Sequence, residues 1–324
     1  MIVNFHYIDK AGNNFVDLLN NLAVSLYNFG IAKNTRIFHY TPHSSLENIL
    51  KYDSLWFSDS TFLNDKTEGL YVAELFYGYL DELNIHEELF PKFKDEIRRY
   101  IRLNDNKFFY AKTLNGEFSK TSPESKYFIC SFSLERDSLS MWNYYTKTSN
   151  KSGYNLSFLN SKLYKSITNS LVQKGFNSVS LNIYKVLYDK KKQKHFLKGI
   201  LLLTYEKWKE SEFSRQYILA DLADLLYNLK YIFKHSDFKM EREIRIVIQV
   251  TEKEFQDHLK KGVIKIRTTD YGFVPYIDLS FNKTDLKSIT ASPLTPNYSS
   301  VNNLLKFYNY KKVLVDKSNI PLRY

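Results

Sequence analysis

Residues 241–249 read Glu-Arg-Glu-Ile-Arg-Ile-Val-Ile-Gln, and their strict alternation constrains the fold more than any other feature of the chain. As a strand it sends Ile244, Ile246 and Ile248 to one side and Glu241, Glu243, Arg245 and Val247 to the other. Such a strand belongs to a sheet with one face on an apolar core and the other largely polar. The chain is therefore expected to contain a mixed sheet with helical insertions.

The other apolar patterns extend this sheet. Arg36–Thr41 reads as a strand, followed by a turn at Pro42, a short helix carrying Leu46, Ile49 and Leu50, and a second strand over Leu55–Ser58. Helical periodicity fills 66–84 and 86–104. The strand Tyr127–Ser133 precedes a helix with Ser138, Met141, Trp142 and Tyr145, and strands are expected over 154–158 and 183–188. A long helical stretch covers 192–234, and strands near 263–267, 275–281, 286–291 and 312–315 frame a helix at 298–308. Phe15, Leu18, Leu19, Leu22 and Leu26 give an amphipathic helix over 13–29. The expected class is α+β: an N-terminal helical extension over 1–35, then one domain over 36–324 with helical insertions near 66–120 and 192–234.

Composition removes several function classes. Only 10 of 324 residues are Gly, and none falls in a dinucleotide or P-loop fingerprint. There is no HExxH, CxxC or GxSxG, and the lone Cys130 lies in the apolar run Tyr-Phe-Ile-Cys-Ser-Phe, where a small buried residue fits. One cysteine makes no internal disulfide, so a reducing, cytoplasmic setting is expected. No apolar run approaches the ~20 residues that span a bilayer, so no membrane partner is expected. The net charge of +11 permits a polyanionic partner, although the 46 basic residues are mostly Lys, as AT-rich coding also produces.

Three segments carry candidate chemistry: His39-Tyr40-Thr41; Ser131-Phe132-Ser133 with Trp142 and Tyr145; and Glu241, Glu243 and Arg245. They resemble the ADP-ribosyltransferase superfamily, which implies a mixed sheet of that fold and NAD as substrate. By that resemblance His39 holds the adenosine ribose, the Ser131, Ser133, Trp142 and Tyr145 segment walls the nicotinamide, and Glu243 is catalytic with Glu241 as its second carboxylate. The pattern mixes two subclasses, a His-first and a Glu-x-Glu type, so the acceptor stays open between nucleic acid and protein. Over about 36–324 the chain also resembles an uncharacterised bacterial family of unknown function, through HYT, LWFSDSTFLND with Glu68, SFS, SMWNYY, Gly153, VLY, EREIR and SNIPLR. The implied role is a toxin-like or anti-phage effector, with an antitoxin or defence-system partner.

Each candidate also has a structural explanation. Glu241, Glu243 and Arg245 suit an ion-pair ladder on a solvated face. His39 suits a satisfied core histidine among Ile37, Phe38 and Tyr40, and Trp142 suits helix packing. Asp59, Asn64, Asp65 and Glu68 suit an oxygen-rich metal site in a nuclease, but Asp65 with Glu68 has the spacing of a capping box. A nucleic-acid-sensing module without catalysis is the remaining rival.

Overall fold

The computed structural model describes residues 32–62, 68–104, 108–112, 118–120, 125–146, 152–210, 212–269 and 272–321. In chain order the first elements are β1 (Arg36–Pro42), α1 (His43–Tyr52), β2 (Ser54–Asp59), α2 (Glu68–Glu82), α3 (Phe90–Tyr100), β3 (Ile101–Asn104), β4 (Phe108–Lys112) and β5 (Phe118–Lys120). Next come β6 (Ser125–Ser133), α4 (Leu139–Tyr145), β7 (Gly153–Leu159), α5 (Asn160–Gln173), β8 (Val179–Lys185), α6 (Lys190–Glu210) and α7 (Arg215–Leu229). The chain then forms β9 (Glu243–Thr251), α8 (Glu252–Lys260), β10 (Lys265–Thr269), β11 (Gly272–Ser280), β12 (Leu286–Ala291), α9 (Val301–Phe307) and β13 (Leu314–Lys317). The expected strands and most expected helices lie within a few residues of these, but the helix expected over 86–104 stops at Tyr100, and the insertion expected to be helical over 66–120 ends in the three strands β3, β4 and β5. The helix over 13–29 lies outside the described residues.

The chain divides into two compact units, one of 1–30, 64–125 and 186–236, the other of 31–63, 126–185 and 237–324. In the first, α3, α6 and α7 bury Phe90, Phe93, Tyr205 and Trp208 with α2, and α7 lies along β4 of the small sheet β3-β4-β5. The expected continuous helix over 192–234 is broken instead, because a short 3-10 turn at Glu212–Ser214 separates α6 from α7. Asp189 starts α6 by accepting the backbone N–H groups of Lys191 and Lys192, so the basic run 190–194 opens a helix.

The second unit is built on one mixed sheet of ten strands among the described residues, in the order β10-β11-β2-β6-β1-β7-β12-β13, with β9 pairing β6 and β8. β1 pairs antiparallel with β6 and β7, β11 with β10 and β2, β2 with β6, β7 with β12 and β8 with β9, whereas β12 and β13 are parallel. One face, here the inner face, carries the main core: Ile37, Phe57, Phe128, Phe132, Leu156, Ile244, Ile246 and Ile248 pack under Leu46, Leu163, Ile167, Phe255 and Leu305 from α1, α5, α8 and α9. Burying each such side chain is worth about 1.5–3 kcal/mol.

Helices α5 and α8 are absent from the expectations drawn above. Leu163, Ile167 and Leu171 do recur at helical spacing on α5, but its other positions are Ser, Thr, Asn and Lys, which weaken the pattern. Both helices close in the same way. Gly175 (φ 82°) and Gly262 (φ 69°) take the left-handed position after the helix, and the next N–H groups, of Phe176 and Val263, bond back to Leu171 and His258.

Candidate functional site

Strand β9 starts at Glu243, and Glu241 ends a 3-10 turn over Ser236–Glu241. Between them Arg242 has φ 42°, a left-handed conformation uncommon for a residue other than Gly. The expected single face for Glu241, Glu243 and Arg245 is therefore corrected: Glu241 is off the strand. The turn is held by β6, since Ser133 Oγ donates to the Glu241 carbonyl at 2.6 Å and Leu134 N to the Arg242 carbonyl at 3.0 Å. The Arg242 guanidinium pairs with Glu135.

Glu243 and Arg245 alternate with Ile244, Ile246 and Ile248, so they leave the sheet on the outer face. Arg245 clamps Glu243 in a two-pronged pair, Nε to Oε1 and Nη2 to Oε2, both 2.9 Å. Glu243 is 5% exposed and Arg245 2%, so this is a desolvated pair. It replaces the expected ladder on a solvated face. On β6, Cys130 and Phe132 join the inner core, which leaves Ser131 and Ser133 on the outer face beside β9.

His39 points the other way. It faces Leu156 across β7, its ring lies 5.4 Å from that of Phe132, and Cys130 Sγ is 3.9 Å from Nδ1. All three neighbours belong to the inner core. Nδ1 is 3.0 Å from the Ser131 carbonyl, which assigns the proton to Nδ1. Loss of solvation pushes the imidazole pKa down against the opposing effect of that hydrogen bond. Burial pushes the Cys130 thiol up, so it stays protonated. Thr41, opposite Tyr154, shares the His39 face. The expectation that His39 and Glu243 line one pocket is thus corrected, because alternation along β1 and β9 sends them to opposite faces.

Phe38 and Tyr40 of β1 lie on the outer face, where they form a small second core with Met141 and Trp142. The Tyr40 ring meets Trp142 edge-on at 4.7 Å, and its hydroxyl donates to the Glu135 carbonyl at 2.9 Å. Trp142 is buried, and its Nε1 donates to Asp137 Oδ1 at 2.7 Å. Asp137 also accepts from Ser318 Oγ and Asn319 N, fastening the C-terminal segment beside α4. Trp142 is therefore a packing residue, and its ring is closed to a stacking ligand. Tyr145, half-buried at the margin of this small core, keeps more of its surface.

Asp59 Oδ1 accepts from Thr61 N at 2.9 Å and Thr61 Oγ1 at 2.8 Å, which makes it a turn cap. Asn64 and Asp65 lie outside the described residues, and Glu68 opens α2. Gly153 starts β7, where a Cβ would stand 2.2 Å from Thr146 Cγ2 and 2.8 Å from the Thr41 carbonyl oxygen. A close backbone approach thus explains this glycine, with no ligand needed.

Residues 141–246 match a family model described as a protein of unknown function (DUF2971). The match spans Trp142, Tyr145, Glu241, Glu243 and Arg245, and it leaves His39, Ser131 and Ser133 outside. No curated protein and no solved structure matches the chain. No helix among the described residues is long and apolar enough to cross a membrane.

Proposed function

We propose that the outer face where β6 meets β9 is the NAD site of an ADP-ribosyltransferase-like enzyme acting on a macromolecule. The observation that carries this reading is the common face of Ser131, Ser133, Glu243 and Arg245 on two paired strands. In such a transfer the nicotinamide–ribose bond breaks with its electron pair on nicotinamide. The acceptor heteroatom then bonds the anomeric carbon and gives up its proton. The anomeric centre passes through a cation-like state, which a carboxylate held in fixed orientation stabilises. Glu243 takes that role, oriented by Arg245, and Glu241 at the turn is the base that receives the acceptor's proton. His39 acts through the Ser131 carbonyl as a positioning residue. With Glu243 at 5% exposure, the reading requires the region above the pair to open for NAD.

A second reading is a nucleic-acid-sensing module without catalysis. It is favoured by the same ion pair, since a buried carboxylate already matched by Arg245 is also what a purely structural strand pair contains. Nicotinamide release from NAD, measured with nucleic-acid and protein acceptors, decides between them. On the first reading Glu243→Gln lowers the rate ~10²- to 10³-fold at a temperature where its melting curve shows it folded, since the substitution also breaks the buried pair with Arg245 and lowers the melting temperature. An active wild type whose Glu243→Gln variant keeps its rate refutes the catalytic assignment.

A further inference from the structure

We infer that the outer face of the sheet edge β10-β11-β2 is a docking surface for single-stranded nucleic acid, with a base stacked on Trp56 and a phosphate on Arg267. On β2, Leu55 and Phe57 are fully buried while Trp56, between them, is 43% exposed on the opposite face. Tyr276 of β11 lies beside it, with ring centroids 4.6 Å apart, so two aromatic rings form one platform. Arg267 of β10 reaches over this platform, its guanidinium carbon 5.4 Å from the Trp56 ring and Nη2 donating to Ser58 Oγ at 3.0 Å.

The unusual member is Arg267. Its Nε is buried with no hydrogen-bond partner, and no carboxylate among the described residues pairs with it. A guanidinium donor removed from water and left unmatched favours an incoming anion, and the planar fork suits phosphate. Lys265, on β10 with Arg267, pairs with Asp278 of β11 at 2.9 Å, and Lys174, at the C-terminal end of α5, reaches the same carboxylate at 3.3 Å. The two strands thus carry Arg267 and Lys265 against one anion that Lys174 also neutralises, on a chain of net charge +11.

Aromatic faces beside a guanidinium without a carboxylate partner on a sheet surface are the elements that hold unstacked bases and their backbone, and stacking tolerates any base. A protein partner would need an anion for Arg267 and apolar cover for Trp56, which one nucleotide supplies together. The inference bears on the acceptor left open in the proposed function. It stands apart from the catalytic assignment, because binding is read without NAD.

The test is fluorescence anisotropy of the full chain with labelled dT12 and U12 at several salt concentrations. Binding is expected, with Trp56→Ala weakening it about 5- to 100-fold through loss of stacking, and with Arg267→Gln lowering the salt dependence by about one counterion. Lys191→Gln, on α6, should stay within about twofold of wild type. Melting curves show whether each variant folds, and Trp56→Phe, which retains a stacking ring, should keep most of the affinity. The inference is overturned if wild type binds neither oligonucleotide at low salt, or if Trp56→Ala binds as wild type does. It is also overturned if Lys191→Gln weakens binding as much as Arg267→Gln, or if sedimentation shows a dimer of this chain that Trp56→Ala dissociates. Loss of nicotinamide release in Glu243→Gln with unchanged oligonucleotide binding would separate the two sites.

Discussion

Replacing Gly153 by Ala tests whether the start of β7 is packed as tightly as its neighbours imply. The added methyl would lie 2.2 Å from Thr146 Cγ2, 2.9 Å from Thr146 Cβ and 2.8 Å from the Thr41 carbonyl oxygen. The carbonyl has little room to move, because Thr41 belongs to β1, which is paired with β7 along its whole length. On the other side, the Gly153 carbonyl accepts from Ser292 N and Thr295 Oγ1, which ties it to the segment after β12. Overpacking of this kind costs about 1–3 kcal/mol, and the stiffer unfolded chain returns about 0.4–1 kcal/mol. A contact as short as 2.2 Å places the overpacking cost in the upper part of its range, about 2–3 kcal/mol, so the net is destabilisation of about 1–2.6 kcal/mol, or ~2–10 °C in melting temperature.

The assay is thermal and urea unfolding of three variants. Gly78→Ala is the control, since nothing lies within 4 Å of a Cβ at that position. Inside α2 it should stabilise by about 0.5–1 kcal/mol. The double variant Gly153→Ala/Thr146→Ser removes the closest carbon and keeps the hydroxyl that donates to the Trp142 carbonyl. It should recover part of the loss, because the Thr41 oxygen remains in the way. A Gly153→Ala protein as stable as wild type, or a double variant no better than the single one, would refute the reasoning.

Arg245→Met should cost about 3–5 kcal/mol by leaving the Glu243 carboxylate buried without its partner. Combining it with Glu243→Gln should restore much of that in urea unfolding, and equal instability of both proteins would contradict the pairing argument. In the first unit, burial and the neighbouring Asp224 push the Asp221 carboxyl pKa up to about 8. From about pH 4 to pH 8 the folded state then holds a proton that the unfolded state has released, so stability falls as pH rises. Asp221→Asn should flatten that slope between pH 5 and 8.5, and a wild-type profile unchanged by the substitution would exclude Asp221 as its source.

The sequence alone determined the parts that rest on local periodicity. The alternation of Ile244, Ile246 and Ile248 specified a half-buried strand, and those residues do lie in the core. Likewise the short helix with Leu46 and Leu50, and the strand carrying Leu55 and Phe57, follow from spacing and burial that neighbours in the chain already display. The helices α5 and α8 were legible only faintly, since polar surface positions diluted their stripes.

Tertiary structure decided which face each polar residue occupies. A strand period of two means that one step along the chain reverses direction, so Tyr40 and not His39 shares a face with Glu243. The same arithmetic isolates Glu241, because the left-handed Arg242, bonded to Leu134 of the segment after β6, ends the alternation before it reaches that residue. Trp56 looks in sequence like one more apolar residue in Leu-Trp-Phe. Its exposure, and the unmatched guanidinium of Arg267 above it, arise because β2 pairs with β11 and β11 with β10, strands more than 200 residues further along. Pairings at that separation depend on the register of the whole sheet, which no local pattern contains.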